Sequence, residues 1–192
     1  GFEAQSGINR LGHFALTRSL FDMLSPDARI VNVASGADRL GGINFDDLQW
    51  ETDYNPQKAY GQSKTANLLF THELTRRLAT VDSHITAVAA HPGMAETNLA
   101  TGSTFSKWIW LLKIMRVLRI GPQVQSAEMG ALPQTYAATD EIEPGAYYGP
   151  EKMYHGYPIR ADHHRAEHSS NPDYAFRLWE MSEKLTDGVF SI

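Results

Sequence analysis

Short β-branched runs separated by long amphipathic stretches constrain this chain more than any other feature. Arg29-Ile30-Val31-Asn32-Val33-Ala34 is brief and β-branched, reads as a strand, and is closed by Ser35-Gly36. Ile85 to Ala90 is a second buried-type run, ended by His91-Pro92-Gly93. Between them, Gln57 to Leu78 carries a long helical pattern after a loop-like, Asp-rich stretch from Gly36 to Pro56. Upstream, Ile8, Leu11, Phe14, Ala15, Leu16, Leu20 and Phe21 place a helix over Ala4 to Leu24, stopped by Ser25-Pro26. Downstream come helical patterns at Phe105 to Ile120 and Ser126 to Ala138, then a short strand, Ala146 to Tyr148, before Gly149-Pro150. Asn171-Pro172-Asp173 opens a last helix that runs to about Leu185. Strands separated by long helices predict parallel crossovers and a three-layer α/β sheet. Ligands of such sheets bind at the carboxyl ends of the strands, here Ser35, His91-Pro92-Gly93 and the Gly149 turn.

The chain has 192 residues, a length suited to one domain. Lys and Arg number 17 against 22 Asp and Glu, so no basic excess exists to neutralise phosphates and nucleic acid is not an expected partner. With no cysteine, a disulfide scaffold, a thiolate metal site and a Cys nucleophile are excluded. The start lacks a charged segment followed by an apolar run, so no signal peptide is expected, and a cytoplasmic setting fits. The apolar stretch from Trp108 to Leu118 is interrupted by Lys113 and Arg116 and is too short to span a bilayer. No Met precedes Met23, which suggests a piece of something longer.

A Tyr followed four residues later by Lys shares a helical face with it, and the cation favours the ionised phenol. Such a Tyr can exchange a proton with a substrate oxygen. Composition predicts about 0.25 such pairs by chance, yet three occur: Tyr54/Lys58, Tyr60/Lys64 and Tyr148/Lys152. Pro56 interrupts the first and Pro150 the third, and an interior Pro disrupts a helix. Only Tyr60-Gly61-Gln62-Ser63-Lys64 leads into an unbroken helical pattern. Its structural alternative is a surface Tyr packed on a Lys stem. Ser35, delivered by the first strand 25 residues before Tyr60, could donate a hydrogen bond to the same oxygen, although a Ser after a strand is usually a turn residue. Asn9 falls mid-helix, where Asn is unfavourable. His91-Pro92-Gly93-Met94-Ala95-Glu96-Thr97 offers backbone that could approach a flat ligand.

Together, in order and spacing, these segments resemble the short-chain dehydrogenase/reductase family. The resemblance covers most of the chain and implies a Rossmann-like, doubly wound parallel sheet. Gly7-Ile8-Asn9-Arg10-Leu11-Gly12-His13-Phe14 looks like the family's central helix, with Asn9 at its catalytic Asn. Ser35 matches the catalytic Ser, Tyr60 the acid/base and Lys64 its partner. Pro92-Gly93 followed by Thr97 looks like the segment that holds the nicotinamide carboxamide. The long insert between Ser35 and Tyr60, the run from Gln62 to Phe70, Ala146 to Pro150 and Arg177-Leu178-Trp179-Glu180 resemble the retinol dehydrogenase and protochlorophyllide reductase branch. The resemblance implies hydride transfer between NADP or NAD and a carbonyl or alcohol carbon, with NADP favoured by that likeness alone. Tyr60 would move the proton and bind cofactor. Lys64 would poise Tyr60 and hold the nicotinamide ribose. Ser35 would orient the substrate oxygen, and Asn9 would help place Lys64 and a relay water.

The sequence also departs from the family. No Gly-x-x-x-Gly-x-Gly occurs, so the chain resembles the later two-thirds of the fold, 1–192 being one domain truncated at its N-terminus. An unprotected edge on the Ile30 strand and weak dinucleotide binding are therefore expected. A non-catalytic binding or assembly protein of the same fold is the competing reading. A nucleotide-sugar epimerase shares Tyr and Lys but fits the apolar Phe105 segment poorly.

Phe105 to Ile120 carries four positive and no negative charges. It reads as a lid over a lipophilic alcohol, ketone or aldehyde (within 102–122), against a packed helix or a segment lying on a membrane surface. His163, His164 and His168 invite a metal reading, but Arg165 argues against it and a solvated charged loop is expected instead. His91 reads as a strand-end packing residue. No Gly-x-Ser-x-Gly supports a Ser hydrolase. The outer faces of the Ala4 and Gln57 helices leave a homo-oligomer interface open.

Overall fold

The computed structural model describes residues 1–95 and 124–192. Its N-terminal helical run begins as α1 (Ala4–Ser6), passes through a π-helical stretch (Gly7–Leu11) and continues as α2 (Gly12–Leu20) into a 3-10 turn (Phe21–Met23). The Glu3 carboxylate caps it, accepting from Gln5 N at 2.9 Å and Ser6 N at 2.7 Å. The π turn, which periodicity did not reveal, contains Asn9. Then follow β1 (Arg29–Val33), a 3-10 turn (Gly36–Leu40), α3 (Pro56–Thr80) and β2 (Thr86–Ala90). Further along the chain come α4 (Ala127–Thr139), β3 (Tyr147–Lys152), β4 (His155–Arg160), two 3-10 turns (Asp162–His164 and Glu167–Ser170) and α5 (Pro172–Leu185).

The sheet runs in the order β1-β2-β3-β4. β1 pairs parallel with β2, from Arg29 opposite Thr86 to Val33 opposite Ala90, and β2 pairs parallel with β3. Side chains of β2 alternate faces, as the period of a strand requires. Ala87 packs with Leu74 and Leu78 of α3, and Ala89 with Leu68. Val88 and Ala90 meet Ala137 of α4 from the other side. The three-layer α/β/α expectation therefore holds.

One sequence expectation does not. Gly149-Pro150 is not a turn: β3 runs through it to Lys152 and pairs antiparallel with β4, an unforeseen strand. Pro150 stands opposite Pro158, and the register shifts between Pro150 and Lys152. Two prolines facing each other need no ladder donor, so the hairpin accommodates residues that read as breakers. The Phe105 segment lies outside the described residues. Among the described residues, no helix is long and apolar enough to cross a membrane.

The core beneath α3 is aromatic. Trp179 of α5 stacks on Phe70 (centroids 5.6 Å apart) and on Phe190 (4.9 Å), with Phe14 edge-on at 5.1 Å. These contacts join α2, α3, α5 and the C-terminal segment in one cluster. Trp179 is only 2% exposed, so Trp179→Ala is predicted to cost about 3–5 kcal/mol. Urea unfolding tests this, and a loss under about 1 kcal/mol would contradict the packing described.

Candidate active site

The candidate residues converge where β1 and β2 end against the start of α3. Asn55 fixes that start: its Oδ1 accepts from Gln57 N and Lys58 N, both at 3.0 Å, with Pro56 in the first helical position. Tyr54 therefore precedes the helix, and Tyr148 and Lys152 lie on β3, so neither pair shares a helical face. Tyr60 and Lys64 do, with Lys64 Nζ 5.7 Å from the centre of the Tyr60 ring. Both are half-buried. Burial pushes the Lys64 ammonium below the ordinary lysine value.

Lys64 Nζ donates to the carbonyl of Val33 at 3.1 Å, and Asn67 Nδ2 donates to the same oxygen at 3.2 Å. Val33 ends β1 on its outer edge. Among the described residues no strand covers that edge, and these two side chains reach one of its carbonyls. Two further N–H groups of Lys64 have no acceptor among the described residues.

Ser35 follows directly. Its Oγ accepts from Ala37 N at 3.2 Å and caps the 3-10 turn, which leaves its hydroxyl proton to donate elsewhere. Asn9 reaches the site from the π turn. Its Nδ2 donates to Gln5 Oε1 at 2.8 Å and to Ser63 Oγ at 3.2 Å. Ser63 Oγ in turn donates to the Tyr60 carbonyl at 2.8 Å. Asn9 is thus connected to α3 between Tyr60 and Lys64, through Ser63 and not directly to Lys64. A π turn re-aims a side chain and is frequent at functional sites, which accounts for an Asn at mid-helix.

Pro92 and Gly93 leave β2 beside Ser35, because Ala34 N donates to Ala90 O at 2.8 Å across the two strand ends. Gly93 has φ +64°, and a Cβ there would lie 2.5 Å from Tyr154 O, so only Gly fits. Gln125 clamps this turn: its Nε2 donates to Pro92 O at 2.7 Å and its Oε1 accepts from Gly156 N at 3.1 Å. Sequence reasoning missed Gln125, as it missed Ser63, because a lone Gln or Ser carries no motif. Thr97 lies outside the described residues.

The donor set suits the nicotinamide-ribose end of a dinucleotide: a half-buried ammonium with spare donors, a phenol beside it and a glycine turn at a strand end. The glycine-rich pyrophosphate turn of the family is not part of these 192 residues.

Tyr147 is the other phenol nearby. It is fully buried, and burial together with the Asp38 charge raises its pKa, so it stays protonated. The segment from Asp162 to His168 is solvated only in part: His163 and Glu167 are exposed, whereas His164 is buried and His168 Nε2 lies 3.0 Å from Asp38 O. His91, 1% exposed, sits with Nε2 3.4 Å from His164 Nδ1, against the Tyr147 ring. Among the described residues, no group of three or more His, Cys, Asp or Glu could hold a metal ion.

Burial, then the neighbouring His164, push His91 down to about 4. The folded chain keeps it neutral while the unfolded chain protonates it near 6.5, so the unfolded state binds the extra proton. Its contribution is complete above pH 6.5 and is lost as pH falls toward 4, by about 3 kcal/mol at most. Urea midpoints at pH 7.5 and 4.5 should therefore differ less in His91→Gln than in the wild type. Equal differences would contradict this assignment.

No protein-family model matches the chain. It is 42% identical to human retinol dehydrogenase 13 over 96% of its own length and 54% of that protein's. Human polyprenol dehydrogenase is 38% identical, over the whole chain and 56% of that protein. The chain thus spans about half the length of these curated relatives. A crystal structure of an uncharacterised protein from Mycobacterium paratuberculosis superposes with a TM-score of 0.78 at 40% identity, over all of this chain and 62% of that one. Sequence and fold agree that the chain belongs to the short-chain dehydrogenase/reductase family, among the relatives of the retinol dehydrogenases.

Proposed function

We propose that these residues form the catalytic portion of an NAD(P)-dependent oxidoreductase that interconverts an alcohol and its carbonyl compound. The carrying observation is the Lys64 ammonium above the Tyr60 ring at the carboxyl ends of parallel strands. The names of the relatives, retinol and polyprenol dehydrogenases, support a lipophilic, isoprenoid-type substrate.

The nicotinamide, when bound, supplies or accepts the hydride. In the reducing direction Tyr60 Oη gives its proton to the carbonyl oxygen while the carbon becomes an alcohol carbon. In the oxidising direction Tyr60 removes that proton from the hydroxyl. The Lys64 cation stabilises the phenolate left behind, and its remaining N–H groups suit ribose hydroxyls. Ser35, with Oγ already accepting from Ala37 N, donates to the reacting oxygen and fixes its position. Asn9 holds α3 through Ser63 and so helps fix where Tyr60 stands. Pro92 and Gly93 would present backbone to the carboxamide end of the ring. The family resemblance favours NADP over NAD, and the same likeness supports a lid role for 102–122.

The test is Tyr60→Phe in the full-length protein, assayed with retinaldehyde and NADPH or NADH. Losing the acid/base should lower kcat by a factor of about 100 or more while leaving the thermal midpoint unchanged. Full activity in the variant would refute the role.

A further inference from the structure

We propose that Asp38 is a positioning residue for Ser35, clamping the Ser35 turn between α3 and the distant 166–169 segment. This rests on the functional reading above. Asp38 lies three residues after Ser35 and is fully buried, where side-chain oxygens need partners; Oδ1 has none among the described residues, so Oδ2 carries the contacts. Its Oδ2 accepts from Ala166 N at 2.7 Å and from Ser169 Oγ at 2.8 Å, partners more than 120 residues away in the chain. Its backbone carbonyl accepts from Thr65 Oγ1 at 3.2 Å, on the residue after Lys64. Its backbone N–H donates to Ser35 O at 3.2 Å. One residue therefore bonds the candidate Ser, the helix carrying the candidate Tyr and Lys, and the C-terminal segment.

Arg39 reinforces the same joint, its Nε donating to His164 O at 3.1 Å. Without the Asp38 carboxylate, the Arg39 bonds to the His164 and His163 carbonyls and the His168 contact with Asp38 O are what tie the turn to the C-terminal segment among the described residues, and the Ser35 hydroxyl could swing relative to Tyr60. A displacement of about 1 Å in such a group is enough to lower turnover substantially.

The experiment compares Asp38→Ala, Asp38→Asn and Ser169→Ala in the full-length protein. Hydrogen exchange is followed without cofactor, and kcat and KM are measured with retinaldehyde and NADPH. In Asp38→Ala, amides 36–41 should exchange about tenfold faster or more, while those of α3 and β2 keep wild-type rates. The same variant should lose kcat by a similar factor, with the KM for NADPH changed less than about twofold. Asp38→Asn retains an accepting oxygen and should recover most of both losses. Should Asp38→Ala fail to fold, Ser169→Ala is expected to give the same pattern more weakly. Wild-type exchange at 36–41, faster exchange everywhere, or a loss confined to KM would each overturn the proposal. A wild type without oxidoreductase turnover would instead sink the functional reading, and the exchange result would still decide whether Asp38 holds the Ser35 turn.

Discussion

The site depends on two backbones touching with no side chain between them. A Cβ on Gly61 would lie 2.7 Å from Gly41 N and 2.9 Å from Ala37 O, and one on Gly41 would lie 2.8 Å from Lys58 O. Both contacts are closer than real side chains tolerate, so glycine at 61 and 41 lets the turn after Ser35 lie directly on the first turns of α3. Thr65 closes the contact by donating to Gly41 O at 2.8 Å. That seating sets the turn that follows Ser35 against the helical turn that carries Tyr60. Gly61 costs the helix about 1 kcal/mol relative to Ala, a small penalty beside the loss of that approach.

A similar close approach organises the far side of the site. A Cβ on Gly149 would overlap the His91 ring, so that ring occupies the space a side chain on β3 would need. His91 is thereby fixed at the end of β2, and the Pro92-Gly93 turn leaves the sheet in a set direction. Gln125 then joins that turn to the β3–β4 hairpin. The strand ends, the helix start and the hairpin form one hydrogen-bonded rim at the carboxyl ends of the parallel strands, where ligands of such sheets bind.

Much of this was legible in the residues. The strand at Ile30, the helix from Gln57 and the helix at Asn171 follow from periodicity and capping chemistry that act locally. Proline correctly separated Tyr60/Lys64 from the two look-alike pairs. β4 was not legible, because Gly149-Pro150 read as the end of a strand and only the pairing of Pro150 with Pro158 makes both compatible with strands. The π turn at Asn9 was hidden for a different reason: one extra residue per turn barely disturbs an apolar stripe. Asp38 went unremarked and His164 was expected in a solvated loop, since nothing local signals that segments more than 120 residues apart will bury both.

The most direct measurement is a crystal structure of the full-length protein with nicotinamide cofactor and a substrate or product bound. The account predicts Tyr60 Oη and Ser35 Oγ both about 3 Å from the reacting oxygen, with Lys64 Nζ on the ribose side of Tyr60. A reacting oxygen held away from both hydroxyls, with Lys64 and Tyr60 facing apart, would contradict it.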